Sequence, residues 1–406
     1  MSTRARAVEV GILVGFCLFL PIYEAPKSIL WVLYALTWIV NRVRERDFGG
    51  RWDGWDTIFA VWIASGFAAA AFAGHHGDEW RATVDLVRYA GMAWLVKRAR
   101  YDALQTRAVL GSLIVSLLIG LVQSYPRHWS GQDYWLSLNS VGHVNHTAIY
   151  MAIVLAISAA WAFAFWRSWS IGWRIAAVAV NAVILVSLIV AASRGALVGA
   201  AVMLLVVAAW WRARSRVPLR VTAIALTVTI AVLVVANAEA VKKFELNLAR
   251  NSIFSLRDKI WRVGFLAWQH YPVFGVGMDN YARTTKEVVQ NWLKEDGKEY
   301  VPSRYEYFNH AHSLYVNTIT ERGTVGLAVL LLLFGAWVVC LKRWRPRPED
   351  PDDDWLFWGA SLGALTVTAI SGIVNTTLHH EHGTLAALLL GLWLSRARQQ
   401  RPVVRG

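Results

Sequence analysis

Twelve apolar runs of membrane-crossing character, separated by short clusters of arginine and lysine, constrain this chain more than any other feature of its sequence. They lie near residues 8–24, 28–42, 55–74, 83–97, 105–124, 146–166, 172–192, 195–211, 219–238, 323–341, 355–375 and 384–396. A helix needs about 20 apolar residues to cross a hydrocarbon core. Only helices and closed barrels satisfy their own backbone there, and runs this long and unalternating predict helices. The chain is 56% hydrophobic with 23 tryptophans, too apolar for an ordinary soluble domain. The expected architecture is an all-α polytopic membrane protein of about twelve transmembrane helices. Residues 1–238 hold the first nine spans, 239–322 a long helical loop, and 323–406 the last three spans and a tail. No A-x-A-like cleavage site follows the first run, so it reads as a retained helix.

The basic clusters set the orientation. With the N-terminus in the cytoplasm, 24 of the 41 lysines and arginines fall in cytoplasmic loops or tails, the bias expected of short cytoplasmic loops. The net charge of +14 is therefore a topology signal rather than a nucleic-acid surface. Both termini are expected in the cytoplasm and the long loop on the outer face. All eleven histidines then fall on the non-cytoplasmic side or at that membrane edge. The two cysteines, Cys17 and Cys340, sit in apolar runs and offer neither a disulfide framework nor zinc-ligand spacing.

The loop is the one segment large enough for a folded element outside the bilayer. From Ser255, a plausible N-cap, Leu256 to Trp268 carries apolar residues at helical spacing with Arg257, Asp258, Lys259 and Arg262 on the polar side. It reads as an amphipathic helix lying along the interface, ended by Pro272 and the turn Phe274 to Asn280. A second helix is expected from Tyr281 to Lys294. Beyond Pro302, Asn309 is placed to cap a helix that runs to Glu321 and stops at Gly323, with His312 in its first turn. The positive end of a helix dipole disfavours imidazolium there, and a neutral imidazole is what a general base requires. The competing reading makes His310 and His312 ordinary interfacial hydrogen-bonding groups.

Arg194, in Ser193-Arg194-Gly195, stands at the outer end of the seventh span with no acidic residue nearby in sequence. A guanidinium at that edge needs an anion or a wet cavity, and its fork grips phosphate in a way lysine cannot. Snorkelling to headgroups is the alternative. Arg194, Arg257 and His312 share one face, which gives two candidate phosphate binders and one candidate base. The carboxylates of the loop are scattered without the pairing a divalent-metal diphosphate site needs, so no metal and no cofactor are expected in the reaction.

These segments resemble the bacterial O-antigen ligases, within the superfamily that includes O-antigen polymerases and protein O-oligosaccharyltransferases. The matching pieces are Ser193 to Gly199, the Arg257–Trp261 helix followed by Pro272 to Gly277, His310 to Tyr315 leading to Glu321 to Gly326, and Gly142 to His146 before the sixth span. The resemblance covers most of the chain and implies a GT-C-like glycosyltransferase. It implies a donor glycan on undecaprenyl diphosphate, an acceptor sugar hydroxyl on lipid A-core, inversion, and a periplasmic site on the bacterial inner membrane. His312 would be the catalytic base, and Arg194 and Arg257 would hold the diphosphate. His310, Arg262, Asn145 and Tyr315 are candidates for support, with Arg257 and Arg262 competing for the phosphate role. Ser313 stands where asparagine is expected in many relatives. Membrane lipids are the other expected partners, and nucleic acid is not one. Polymerase and protein glycosyltransferase share this logic and differ in acceptor. A secondary transporter would require paired inverted repeats and mid-membrane acids, and no repeat is visible.

Overall fold

A computed structural model describes residues 3–215 and 256–399. The run expected at 219–238 and the cap expected at Ser255 lie outside the described residues. Thirteen α-helices are present, with no strand among the described residues. They are α1 (Thr3–Phe19), α2 (Glu24–Glu45), α3 (Gly54–Ala71), α4 (Glu79–Ala99), α5 (Ala103–Trp129), α6 (Val144–Phe165), α7 (Ile171–Val190), α8 (Arg194–Ser215), α9 (Arg257–His270), α10 (Lys286–Glu295), α11 (Leu314–Arg343), α12 (Asp352–Ser371) and α13 (His380–Gln399). Among the described residues, α3, α5, α6, α7 and α11 are long and apolar enough to cross a membrane by length and composition. The chain is a polytopic membrane protein.

The centre of the bundle is α6. Its apolar window is 83% buried, against 17% for that of α7, which therefore turns most of its surface outward. Helices in lipid gain little from burying apolar surface against each other and rely on close packing of small residues. That rule accounts for the principal contact here. Gly359 and Gly363 of α12 face Ala160 and Ala156 of α6, so closely that a Cβ on Gly363 would lie 2.3 Å from that of Ala156. On α8, Gly195 and Gly199 repeat the four-residue spacing against Val374, Asn375 and Ser371 at the end of α12. Gly391 of α13 rests on the backbone of Ala93 in α4.

Several buried charges are paired near helix ends. Glu9 accepts from Asn41, Arg42 and Tyr101. Asp56 is held by Lys97 and Arg98 at 2.8 and 2.6 Å, and its partner Asp53 caps α3 through a capping box. These groups lie near helix ends on the side where the basic clusters gather.

The long loop builds α9 and α10 over a small apolar core of Val263, Leu266, Ala267, Val276, Val289, Trp292 and Leu293. The helix expected over Tyr281–Lys294 is shorter. Residues Tyr281–Arg283 form a 3-10 turn and α10 begins at Lys286. The turn is pinned because Asn280 Nδ2 donates to the carbonyls of His75 and Val276, and Tyr281 Oη donates to that of Ile260.

The helix expected to stop at Gly323 is instead broken there and resumes as α11. Gly323 has φ 62° and ψ −164°, a conformation open almost only to glycine. The backbone groups freed by the break are taken up by the Pro272–Gly277 turn. Thr324 and Val325 donate to the carbonyls of Pro272 and Val273, while Val276 and Gly277 donate to those of Thr320 and Glu321. Four main-chain bonds thus weld the outer loop into a membrane helix, meeting the demand that buried backbone polar groups be paired.

Candidate active site

The segment 371–375, where α12 ends, organises the site. Ser371 Oγ donates to the carbonyl of Gly195, 3.1 Å away, fixing the first turn of α8 and with it Arg194. From the other side, Leu314 N donates to the carbonyls of Gly372 and Asn375, at 2.8 and 3.0 Å, fixing the turn that carries His312. One short stretch of chain therefore positions two of the three principal candidates.

The third is placed by α9. Trp261 Nε1 donates to the carbonyl of Ala311 at 2.9 Å, and Ile260, Tyr281, Ala311 and Val316 pack as one cluster. Ala311 N in turn donates to Asn317 Oδ1. This clamps α9 against the 310–312 turn and turns its first residue, Arg257, toward His312. Arg262 lies on the exposed surface. Asn145 accepts from Ser193 Oγ at 2.8 Å, tying the start of α6 to the residue before Arg194.

His312 differs from expectation in one respect. It is not in the first turn of a helix capped by Asn309. Ser313 is the cap, accepting from Val316 N, and His312 precedes it in a left-handed conformation with φ 49°. The helix starts later because the carbonyls of Gly372 and Asn375 satisfy the N–H of Leu314. Left-handed backbone is uncommon for histidine and is held here by that anchoring.

The electrostatics favour a neutral imidazole. Burial first, then His310, Arg257 and His143, push the His312 pKa down to about 3. His310, its ring centroid 4.1 Å from that of His312, is also lowered, by burial and by His143. Arg257 is held below the usual arginine value by burial and by the neighbouring charge of Arg194. Its Nε is buried with no hydrogen-bond partner among the described residues. Two guanidinium groups close enough to oppose each other's charge, with a donor unmet, form a place where an anion lowers the energy.

A cavity of about 570 Å³ opens beside His310 and His312, while Arg194 and Arg257 are not among the residues that line it; its size is within the range of small-molecule sites. His143, Asn145, His146, His310, His312 and His380 line it. Across it lie Lys27 and Glu381, a buried ion pair that Glu24 joins at 2.6 Å from the lysine. Ser140 also accepts from Lys27. Sequence reasoning passed over Lys27, Glu381, Asn375 and Thr376. The signal for the first was a lysine and a glutamate at the edge of apolar runs, where each needs a partner. Tyr315, considered for a supporting role, spends its hydroxyl on the carbonyl of Ala369 at 2.9 Å and so braces α11 against α12.

Residues 179–331 match the family model described as O-antigen ligase. No curated protein matches the chain. The matched residues run from α7 into α11 and contain Arg194, Arg257, His310 and His312. The match supports membership of the O-antigen ligase and polymerase superfamily and a role in lipopolysaccharide-related glycan processing on lipid-linked substrates. Asn145, Asn375 and His380 lie outside the matched residues, yet the fold brings them to the same cavity.

Proposed function

We propose that the chain is an O-antigen ligase. It moves a glycan from undecaprenyl diphosphate to a sugar hydroxyl of lipid A-core, at the periplasmic face of the inner membrane, without a metal ion. The observation that carries this reading is the anchoring of Arg194 and His312 to one segment, 371–375, with Arg257 clamped beside His312.

In the proposed step the acceptor oxygen attacks the anomeric carbon opposite the diphosphate, and the carbon–oxygen bond to phosphate breaks with its electron pair leaving on the diphosphate. Configuration inverts, and the acceptor proton passes to His312. Such proton transfer contributes about 10²–10⁴-fold in rate. Arg194 and Arg257 hold the diphosphate and stabilise the charge that develops on it. The same contact tunes the base. Arg257 is one of the charges that depress His312, and a bound diphosphate offsets that charge, so donor binding raises the basicity of the imidazole where it is needed.

Transfer of purified undecaprenyl-linked glycan to lipid A-core in vitro tests the reading, together with the lipopolysaccharide of a deletion strain. Free core with accumulated lipid-linked polymer supports ligase. Core bearing a single repeat identifies a polymerase instead, and a glycan lost from a pilin-like protein identifies a protein glycosyltransferase.

A further inference from the structure

Beside the cavity, four histidines come together from two distant parts of the chain, and two of them, His146 and His380, line it. His146 stands in the first turn of α6, while His379, His380 and His382 lie at the start of α13. One ring nitrogen from each of His146, His379 and His380 lies within 4.8 Å of the other two. His146 Nδ1 is 2.8 Å from His382 Nε2, and the rings of His379 and His380 are 3.8 Å apart, edge to face. Imidazoles crowd this way at a cost when they bring no partner. His379 Nδ1 and His382 Nδ1 are both buried with no hydrogen-bond partner among the described residues.

We propose that His146, His379 and His380 form a binding site for a late first-row divalent cation of the zinc type, and that its occupancy blocks the cavity and inhibits transfer. Imidazole is the ligand these ions favour, whereas magnesium and calcium demand oxygen. Three histidines leave one position of a tetrahedral ion open to water or substrate. Nitrogens around such an ion stand about 3.3 Å apart, given metal–nitrogen bonds of about 2.0 Å. Small ring rotations close the present spacing, and His380, exposed, is free to make them. The fourth histidine completes the arrangement. A ligating imidazole commonly donates its other N–H to a fixed acceptor, which sets its tautomer. With His146 Nδ1 donating to His382 Nε2, His146 Nε2 keeps its lone pair for the metal, and the proton of His382 goes to its unpartnered Nδ1.

The ion would play no part in the transfer step. His146 and His380 line the same cavity as His312, so a cation with its water there excludes a substrate from that wall. The cavity, not the chemistry, is what it controls.

The test uses full-length protein in detergent, freed of any histidine tag and stripped with a chelator. Cobalt(II) added to it is expected to give the intense visible bands of a tetrahedral nitrogen-bound ion, competed away by zinc and not by magnesium. His380→Ala and His379→Ala are expected to abolish those bands and weaken zinc binding at least about 100-fold, beyond the 10–100-fold typical of losing a mere outer partner. In the transfer assay zinc should inhibit the stripped wild type, with activity restored by chelator, while His379→Ala, at a position that does not line the cavity, keeps basal turnover and resists zinc. Unchanged cobalt bands in both variants, or equal zinc inhibition of wild type and His379→Ala, would overturn the proposal. Binding is read by spectroscopy without turnover, so a failure of the ligase reading, seen as no transfer by stripped wild type, is separable from a failure here.

Discussion

At the scale of single residues, His312 and Arg257 give the sharpest tests. Replacing His312 with alanine is expected to lower turnover by about 10²–10⁴-fold while donor binding, measured with a labelled polyprenyl diphosphate, stays within a few-fold of wild type. Unchanged turnover would end its role as base. Arg257→Ala should weaken donor binding and turnover together, and Arg262→Ala, at an exposed position, should change neither by more than about twofold. The two arginines are five residues apart, roughly 140° around a helix with 3.6 residues per turn, so they cannot serve the same target. That distinction was available in the sequence. The pH dependence follows from the depressed His312. In the free enzyme the imidazole is the proton-free base throughout the neutral range, so kcat/KM should stay flat and fall only as the pH nears about 3. With donor bound and the charge of Arg257 offset, the acid limb of kcat should lie at higher pH. Coincident limbs in the two profiles would show that the diphosphate does not tune the base. The same group contributes to stability with a definite sign. Its folded pKa lies below the ordinary histidine value, so its stabilising share is full above about pH 6.5 and is lost as the pH falls toward 3.

At the scale of elements, the break in α11 is the feature most exposed to substitution. Gly323→Ala would force a side chain into a conformation reserved for glycine and place its Cβ 2.2 Å from the carbonyl oxygen of Val273. A loss of at least about 2 kcal/mol is expected, read as a lowered melting temperature in detergent, with transfer reduced because the welded loop carries α9 and Arg257. Retention of full stability would mean that the loop is not held by this break. The sequence made α9 readable, since apolar residues recur at helical spacing from Leu256 and the helix does end before Pro272. It misplaced the start of α11, because both Asn309 and Ser313 are capable caps and only the distant carbonyls of Gly372 and Asn375 decide between them. It overextended α10 for a similar reason: Asn280 and Tyr281 are committed to bonds with His75 and Ile260, residues far off along the chain. Local pattern fixes the type of element, and tertiary hydrogen bonds fix where it begins.

At the scale of the whole molecule, the packing of α12 on α6 is what keeps the site assembled, because α12 ends in the 371–375 segment. Gly363→Leu would overfill the contact with Ala156, at a cost of about 1–3 kcal/mol, and should lower both thermal stability and transfer. Gly335→Leu, on an open face of α11, is the control expected to change neither. Equal behaviour of the two variants would remove α12 from the argument. The apolar runs and basic clusters made the membrane class legible, and the motifs containing Arg194, Arg257 and His312 were visible as a set. What stayed hidden was the convergence of segments such as His146 and His382, 236 residues apart, since nothing in a single sequence records which loops meet at one end of a bundle. The weld between the outer turn and the broken helix has a corollary for how such a protein can change. Its four linkages run through carbonyl groups that every residue type supplies and N–H groups that every type except proline supplies. The side chains of Val273 and Phe274, which lie outside the buried core of the loop, are therefore free to vary so long as the hinge glycines persist. The joint fixes the path of the backbone and leaves those two positions open to substitution.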